Sequence, residues 1–159
     1  MNSEEISPEM LAAASLYEVF GFIQNRAWQT LPAKERRIVE SLTARQVKTI
    51  MTVYVRHLRG ELPLTLNELA VRLCIGKAAA SILVSALVEK EMLCRETDPE
   101  NRRFVRITRS EKGKKISEAV LARASALNAD FIGEMTECER KVFASVSSKL
   151  YKRYTEELG

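Results

Sequence analysis

The chain has 159 residues, enough for one medium domain or two small ones that share a core. Its 25 Lys and Arg outweigh 21 Asp and Glu, giving a net charge of +4 and a pI of about 9.0, which permits an anionic partner. Three cysteines at wide, irregular spacing exclude a CxxC zinc site and a disulfide framework and point to a reducing compartment. No apolar run approaches the roughly 18 residues of a membrane span, and the acidic start MNSEEISPEM is unlike a signal peptide, so no membrane association and a cytoplasmic location are expected.

Helix signals cover most of the chain. Ser7-Pro8-Glu9 sets a capping residue before a proline at the first helical position, and Leu11, Leu16, Phe20, Ile23 and Ala27 follow as an apolar surface too broad for a lone exposed helix. A short helical piece is predicted from about Ala33 to Ser41. Thr43 and Gln46 form a capping box, after which Val47, Ile50, Met51, Tyr54 and Leu58 repeat at helical spacing until Gly60. Leu62-Pro63-Leu64 reads as a very short edge strand. A second capping box, Thr65 to Glu68, opens a helix with Leu66, Leu69, Ala70 and Leu73 inside. After Cys74-Ile75-Gly76 comes a helix from about Lys77 to Lys90, with Ala80, Leu83, Val84 and Leu87 as one buried stripe. Two helices joined by a tight turn form a helix-turn-helix.

Met92 to Thr97 and Arg103 to Thr108 then read as the strands of a hairpin, with Asp98-Pro-Glu-Asn supplying the turn and Pro99 presetting its φ. Ser110 can cap a helix carrying Ile116, Val120, Leu127 and Phe131 as far as Gly133. A third capping box, Thr136 to Glu139, starts a last helix with Val142, Phe143, Val146, Leu150 and Tyr154. The expected fold is mainly α with a small antiparallel β hairpin: a winged helix-turn-helix over residues 43–109, with N- and C-terminal helices, 1–42 and 110–159, available for dimerisation. Between Arg95 and Lys115 there are eight basic residues and four acidic ones, so this window carries the whole net charge. Such a wing lifts Arg102 and Arg103 toward phosphates or a narrow minor groove of double-stranded DNA.

The stretch LTLNELAVRLCIGKAAASILVSALVEKEMLCRETDPENRRFVRITRSEKGKKI resembles the MarR family of bacterial transcription regulators. Its most specific part is Asp98-Pro-Glu-Asn-Arg-Arg, a hydrophobic strand, then Thr108-Arg-Ser-Glu-Lys-Gly113. The resemblance implies a homodimer built from the terminal helices, one recognition helix per half-site of a pseudo-palindromic operator, and a small ligand or oxidant that lowers DNA affinity. It differs from the family pattern in two places. Ala86 stands where an arginine is common, and Asn101 stands where a second aspartate is common, so Asp98 is left to pair with Arg102 or Arg103.

The candidate DNA-binding residues are Thr65, Lys77, Ala78, Ser81, Ile82, Ser85, Arg102 and Arg103. Ser81 and Ser85 can hydrogen-bond, Ile82 or Ala78 can touch thymine methyl groups, and Thr65 is either a phosphate contact or occupied in its own cap. Tyr17, Trp28, Met51 and Tyr54 line a ligand cleft or belong to the core. Cys74 and Cys94 read as buried small hydrophobes. Cys138 lies in a first helical turn that favours thiolate, opposed by Glu137 and Glu139, which leaves redox sensing as an alternative. His57 has no sequence neighbours to make a metal site, and no phosphate loop or nucleophile motif appears, so neither cofactor, metal nor catalysis is expected. The reading is a DNA-binding repressor. Its alternative is a winged-helix protein of weak DNA specificity acting through a protein partner on the Ala78, Ile82 and Ala86 side.

Overall fold

The computed structural model describes residues 7–98 and 100–156; Pro99, expected to preset the wing turn, lies outside them. The chain begins with α1 (Pro8–Gln29), where the Ser7 hydroxyl accepts a hydrogen bond from the Met10 amide at 3.2 Å. Next come α2 (Ala33–Glu40) and α3 (Ala44–Leu58). The Thr43 amide donates to Gln46 Oε1 at 3.0 Å and the Gln46 amide to the Thr43 hydroxyl at 3.2 Å, completing the expected box at the start of α3.

A two-residue strand, β1 (Leu64–Thr65), leads into α4 (Leu66–Arg72) and α5 (Lys77–Glu89), and the chain turns through 105° between these helices. The positive φ that this turn needs is taken by Cys74, at 52°, while Gly76 serves as the extended N-cap of α5. Helix α5 ends in a Schellman turn with Glu91 at φ 59°, where the Met92 amide donates to the Leu87 carbonyl at 2.8 Å.

The hairpin consists of β2 (Leu93–Thr97) and β3 (Val105–Arg109), and β3 is the middle strand of an antiparallel sheet ordered β1-β3-β2. Leu64 faces Ile107 from one side and Arg95 faces it from the other. The second strand starts two residues later than its sequence suggested. Arg103 and Phe104 belong to the turn, because the Phe104 amide donates back to the Asn101 carbonyl at 2.9 Å.

After Ser110 the expected single helix is two, α6 (Glu111–Leu127) and α7 (Ala129–Glu134). The break is at Asn128, whose side-chain amide donates to the Ala124 carbonyl at 2.7 Å and so competes with the helix's own backbone ladder. The last helix is α8 (Glu137–Glu156), opened by the Thr136–Glu139 capping pair.

One core joins α2 through α6 and the sheet, and neither α7 nor α8 contributes to it among the described residues. Leu31, Val39 and Leu42 from the α1–α3 region, Ile50 of α3, Leu69 of α4, Val84 and Leu87 of α5, Leu93 and Ile107 of the sheet, and Ile116 and Val120 of α6 pack as one cluster. A close seam forms where α6 begins. The Ser110 amide donates to the Met92 carbonyl at 3.3 Å and its hydroxyl accepts from the Gly113 amide at 2.9 Å, drawing the first turn of α6 onto the base of the hairpin. A Cβ on Gly113 would lie 2.0 Å from the Met92 carbonyl oxygen, whereas one on Gly133 would meet nothing within 4 Å.

Gly113→Ala is therefore expected to destabilise the fold by about 1–3 kcal/mol, the usual cost of overpacking. Gly133→Ala, inside a helix, should be neutral or slightly stabilising. Urea unfolding of the two variants checks this, and equal midpoints would show that the seam yields without cost.

Candidate nucleic-acid interface

Helix α5 turns one side to the core and the other outward. Ala80, Val84 and Leu87 are fully buried, while Lys77 and Ala78 are exposed and Ile82 is 73% exposed. Ser81 and Ser85 lie half-buried at the boundary. The N-cap of α5 is Gly76, which provides no side-chain cap, and its first turn holds no acid, so its leading amides and Lys77 present positive potential outward.

Thr65 is committed elsewhere. Its hydroxyl donates to Glu68 Oε2 at 2.8 Å and accepts from the Glu68 amide at 3.3 Å, so it serves the α4 cap. Ser85 accepts a hydrogen bond from Arg95 Nη2 at 2.9 Å.

The wing is held by Asp98, though not through the partner its sequence suggested. Neither Arg102 nor Arg103 pairs with it. Arg106 Nε donates to Asp98 Oδ2 at 2.7 Å, and Arg106 Nη1 reaches the Pro63 carbonyl at 3.0 Å and Glu68 Oε2 at 3.5 Å. The reason is register: Arg106 and Glu96 face each other across the hairpin, on the same sheet face as Asp98 two residues beyond Glu96, while Arg102 and Arg103 lie past the end of the ladder. The other carboxylate oxygen, Asp98 Oδ1, accepts from the amides of Glu100 at 2.8 Å and Asn101 at 3.2 Å. Asn101 in turn accepts from the Arg103 amide at 3.1 Å, so it shapes the turn where a second aspartate is common in the resembled family. Arg102 and Arg103 are left exposed with no ion-pair partner among the described residues.

The same contacts set the local electrostatics. The Arg106 hydrogen bond, followed by that of the Glu100 amide, holds the Asp98 carboxyl below its ordinary pKa. For Glu68, burial raises the pKa, but the Thr65 hydrogen bonds and the charges of Arg106 and Arg56 outweigh it, and the net shift is downward.

The four residues expected in a ligand cleft are dispersed. Tyr17 is 84% exposed on α1, and Tyr54 is buried in α3, where burial first and the charge of Glu118 second push its phenol pKa upward. Trp28 packs on the core, with its Nε1–H buried and lacking an acceptor among the described residues. Met51 lines a cleft of about 390 Å³, together with Gln24, Lys48, Arg72, Tyr151 and Tyr154.

The cysteines also depart from expectation. Cys74 is exposed, because the left-handed turn lifts it off the core, Cys94 is half-buried, and Cys138 is exposed. His57 is exposed beside Arg56, Glu61, Arg109 and Glu111 around a second cleft of about 270 Å³. No single helix among the described residues is long and apolar enough to cross a membrane.

A helix-turn-helix followed directly by a projecting hairpin, which pairs with β1 to complete a three-stranded sheet, defines a winged helix-turn-helix protein. With its flanking helices, the fold is that of the MarR-type regulators, as the sequence resemblance implied.

No protein-family model matches the chain. In sequence it is similar to the HTH-type transcriptional repressor MdtR of Bacillus subtilis (strain 168), 24% identical over 113 residues that cover 71% of this chain and 73% of the relative. In structure it is similar to S. aureus MepR bound to ethidium bromide, with a TM-score of 0.59 and 20% identity over 95% of this chain and 99% of that one. A MepR mutant bound to an oligodeoxyribonucleotide matches with a TM-score of 0.55 and 19% identity over 89% of this chain and 96% of that one.

Because the Asp98 pKa is lowered on folding, its stabilising contribution is complete above the unfolded-chain value of about 4 and is lost as pH falls through the lower folded value. Amide hydrogen exchange at Glu100 and Asn101 should accelerate several-fold in Asp98→Ala at neutral pH. In the unaltered chain the wing should loosen only under acid below the ordinary carboxylate range. Unchanged exchange in the variant would show that Asp98 does not hold the wing.

Proposed function

We propose that the chain is a DNA-binding transcription regulator, a repressor that occupies a pseudo-palindromic operator as a homodimer. The observation that carries this reading is the exposed side of α5 standing beside a wing whose Arg102 and Arg103 are raised, charged and unpaired among the described residues. In each half-site α5 enters the major groove, Lys77 meets phosphate, and the two wing arginines reach the neighbouring backbone or minor groove. The name of the B. subtilis relative and the oligodeoxyribonucleotide held by the MepR mutant support the same role.

Base reading on this helix is mainly apolar. Ile82 and Ala78 offer methyl contacts to thymine, and Ser81 is the nearby hydroxyl that no hydrogen bond of its side chain engages among the described residues.

Residues 1–42 and 110–159 are assigned to dimerisation, leaving residues 43–109 for DNA. Along α1, Leu11, Phe20 and Phe22 are exposed, and along α8 so are Val142, Phe143 and Val146. Apolar surface on this scale calls for a cover, and a second copy presents the matching faces by symmetry. MepR bound to ethidium supports a small-molecule effector. The Met51 cleft is the place for one here, since α1, α3, α4 and α8 all contribute to it. A ligand there would release DNA only by favouring one relative placement of these helices over another.

Two experiments test the proposal. Fragments of the chain's own upstream DNA, competed with random duplex across a salt series, should yield a protected, roughly palindromic site. Arg102→Ala with Arg103→Ala should weaken binding and reduce the salt slope by roughly one per lost phosphate contact. Replacing thymine by deoxyuridine at the contacted positions should weaken the parent chain several-fold and leave Ile82→Ala nearly indifferent. Equal binding to every sequence would favour the protein-partner reading of the Ala78 and Ile82 surface instead. Separately, sedimentation should give a dimer for the parent chain and a monomer for Phe143→Asp; a monomeric parent would sink the dimer assignment.

A further inference from the structure

Arg95 was counted in the basic window of the sequence but not among the candidate DNA-binding residues, yet it occupies the junction of recognition helix and wing. Side chains alternate along β2, so Arg95 shares a face with Leu93 and stands opposite Ile107, both of them 1% exposed. That face is the core face of the sheet. Arg95 itself is exposed, and its side chain reaches α5. Its Nη2 donates to Ser85 Oγ at 2.9 Å and approaches the Ser81 carbonyl at 3.4 Å, one helical turn away.

A guanidinium carries five N–H donors in a fixed plane, and here only one nitrogen is engaged among the described residues. Arg95 is exposed and has no carboxylate partner among the described residues, so its charge is not neutralised within the chain. The recognition helix itself offers a single cation, Lys77, at its far end. The basic side chain missing from the middle of α5 is therefore supplied from the adjoining strand.

We propose that Arg95 grips a backbone phosphate of the DNA strand that runs between the groove entered by α5 and the wing, with Ser85 holding the guanidinium in place. This rests on the DNA-binding reading above. A helix in the major groove and a wing at the neighbouring groove are separated by one sugar-phosphate strand, and a group at their junction faces that strand. A phosphate contact adds affinity for every sequence alike, and the fixed guanidinium ties helix and wing to a common register on the duplex.

Three variants separate a phosphate contact from a mere brace. Arg95→Gln keeps an N–H donor for Ser85 and loses the charge, Arg95→Lys keeps the charge, and Ser85→Ala removes the acceptor alone. Binding constants to the protected site and to random duplex, measured over about 50–200 mM salt, should fall for Arg95→Gln by similar factors on both DNAs. Its log–log salt slope should be shallower by about 0.9 per bound protomer. Arg95→Lys should keep the parental slope. Ser85→Ala should keep the slope and weaken binding less than Arg95→Gln does. A parental slope in Arg95→Gln, against a parent that binds DNA, would overturn the phosphate role and leave Arg95 as a brace. A parent with no affinity for duplex even at low salt would overturn the regulator reading together with this one.

Discussion

The wing depends on the guanidinium of Arg106. The Arg106 side chain is only 21% exposed, and its guanidinium touches three segments far apart in sequence: Asp98 at the far end of β2, the Pro63 carbonyl before β1, and Glu68 in the first turn of α4. A charge this shielded is costly unless each neighbour answers it, and removing one partner would leave the others facing an uncompensated ion. Its contacts thus fix the angle between hairpin and helix-turn-helix. Through Asp98, which spends its second oxygen on the Glu100 and Asn101 amides, they also fix the turn that carries Arg102 and Arg103. The tip arginines are available because a third arginine has taken the carboxylate.

Glu68 joins the capping of α4 to the same network. Its carboxylate accepts from the Thr65 amide at 2.6 Å while lying 3.5 Å from Arg106. The strand that ends in Thr65, the helix that Thr65 caps and the hairpin opposite are therefore constrained together. Ser110 and Gly113 add the start of α6 to this body by closing on Met92. Because the helix-turn-helix and wing form one unit, an effector of the proposed DNA binding would have to act on how that unit sits relative to the terminal helices.

Much of this was legible in the residues because the signals are local. Three capping boxes, two helical stripes and the alternation of the hairpin each depend on neighbours within a few positions, and the helices begin where those signals place them. What was misread depends on distance. Asp98 and Arg106 meet because of strand register, which sequence proximity to Arg102 and Arg103 obscured. Cys74 looked buried by its apolar context, but the turn gives it the left-handed conformation and turns it outward. The break at Asn128 comes from a side-chain amide bonding a carbonyl four residues back, a possibility that apolar spacing does not reveal. Tyr17, Trp28, Met51 and Tyr54 share aromatic or thioether character rather than a location, and composition alone could not separate core from cleft.

Arg95 shows how such a residue could be found. Parity along β2 places it on the face of Leu93, and a charged residue on a core face is informative, since it must either be paired inside or lie where the core ends. Here Arg95 is exposed, and its side chain meets Ser85 of α5 rather than an acid. The recognition helix is poor in charge, with alanines and Ile82 outward, and is flanked by three arginines that belong to the wing and its base strand. For the DNA-binding role proposed above, that division separates two properties commonly combined in one helix: affinity would come from the guanidinium groups around it, which act on any duplex, and base discrimination would be left to small apolar contacts. In the homodimer proposed above, selectivity would come from operator shape and from the fixed spacing of two copies more than from any single base, so the geometry of the dimer would carry much of the recognition.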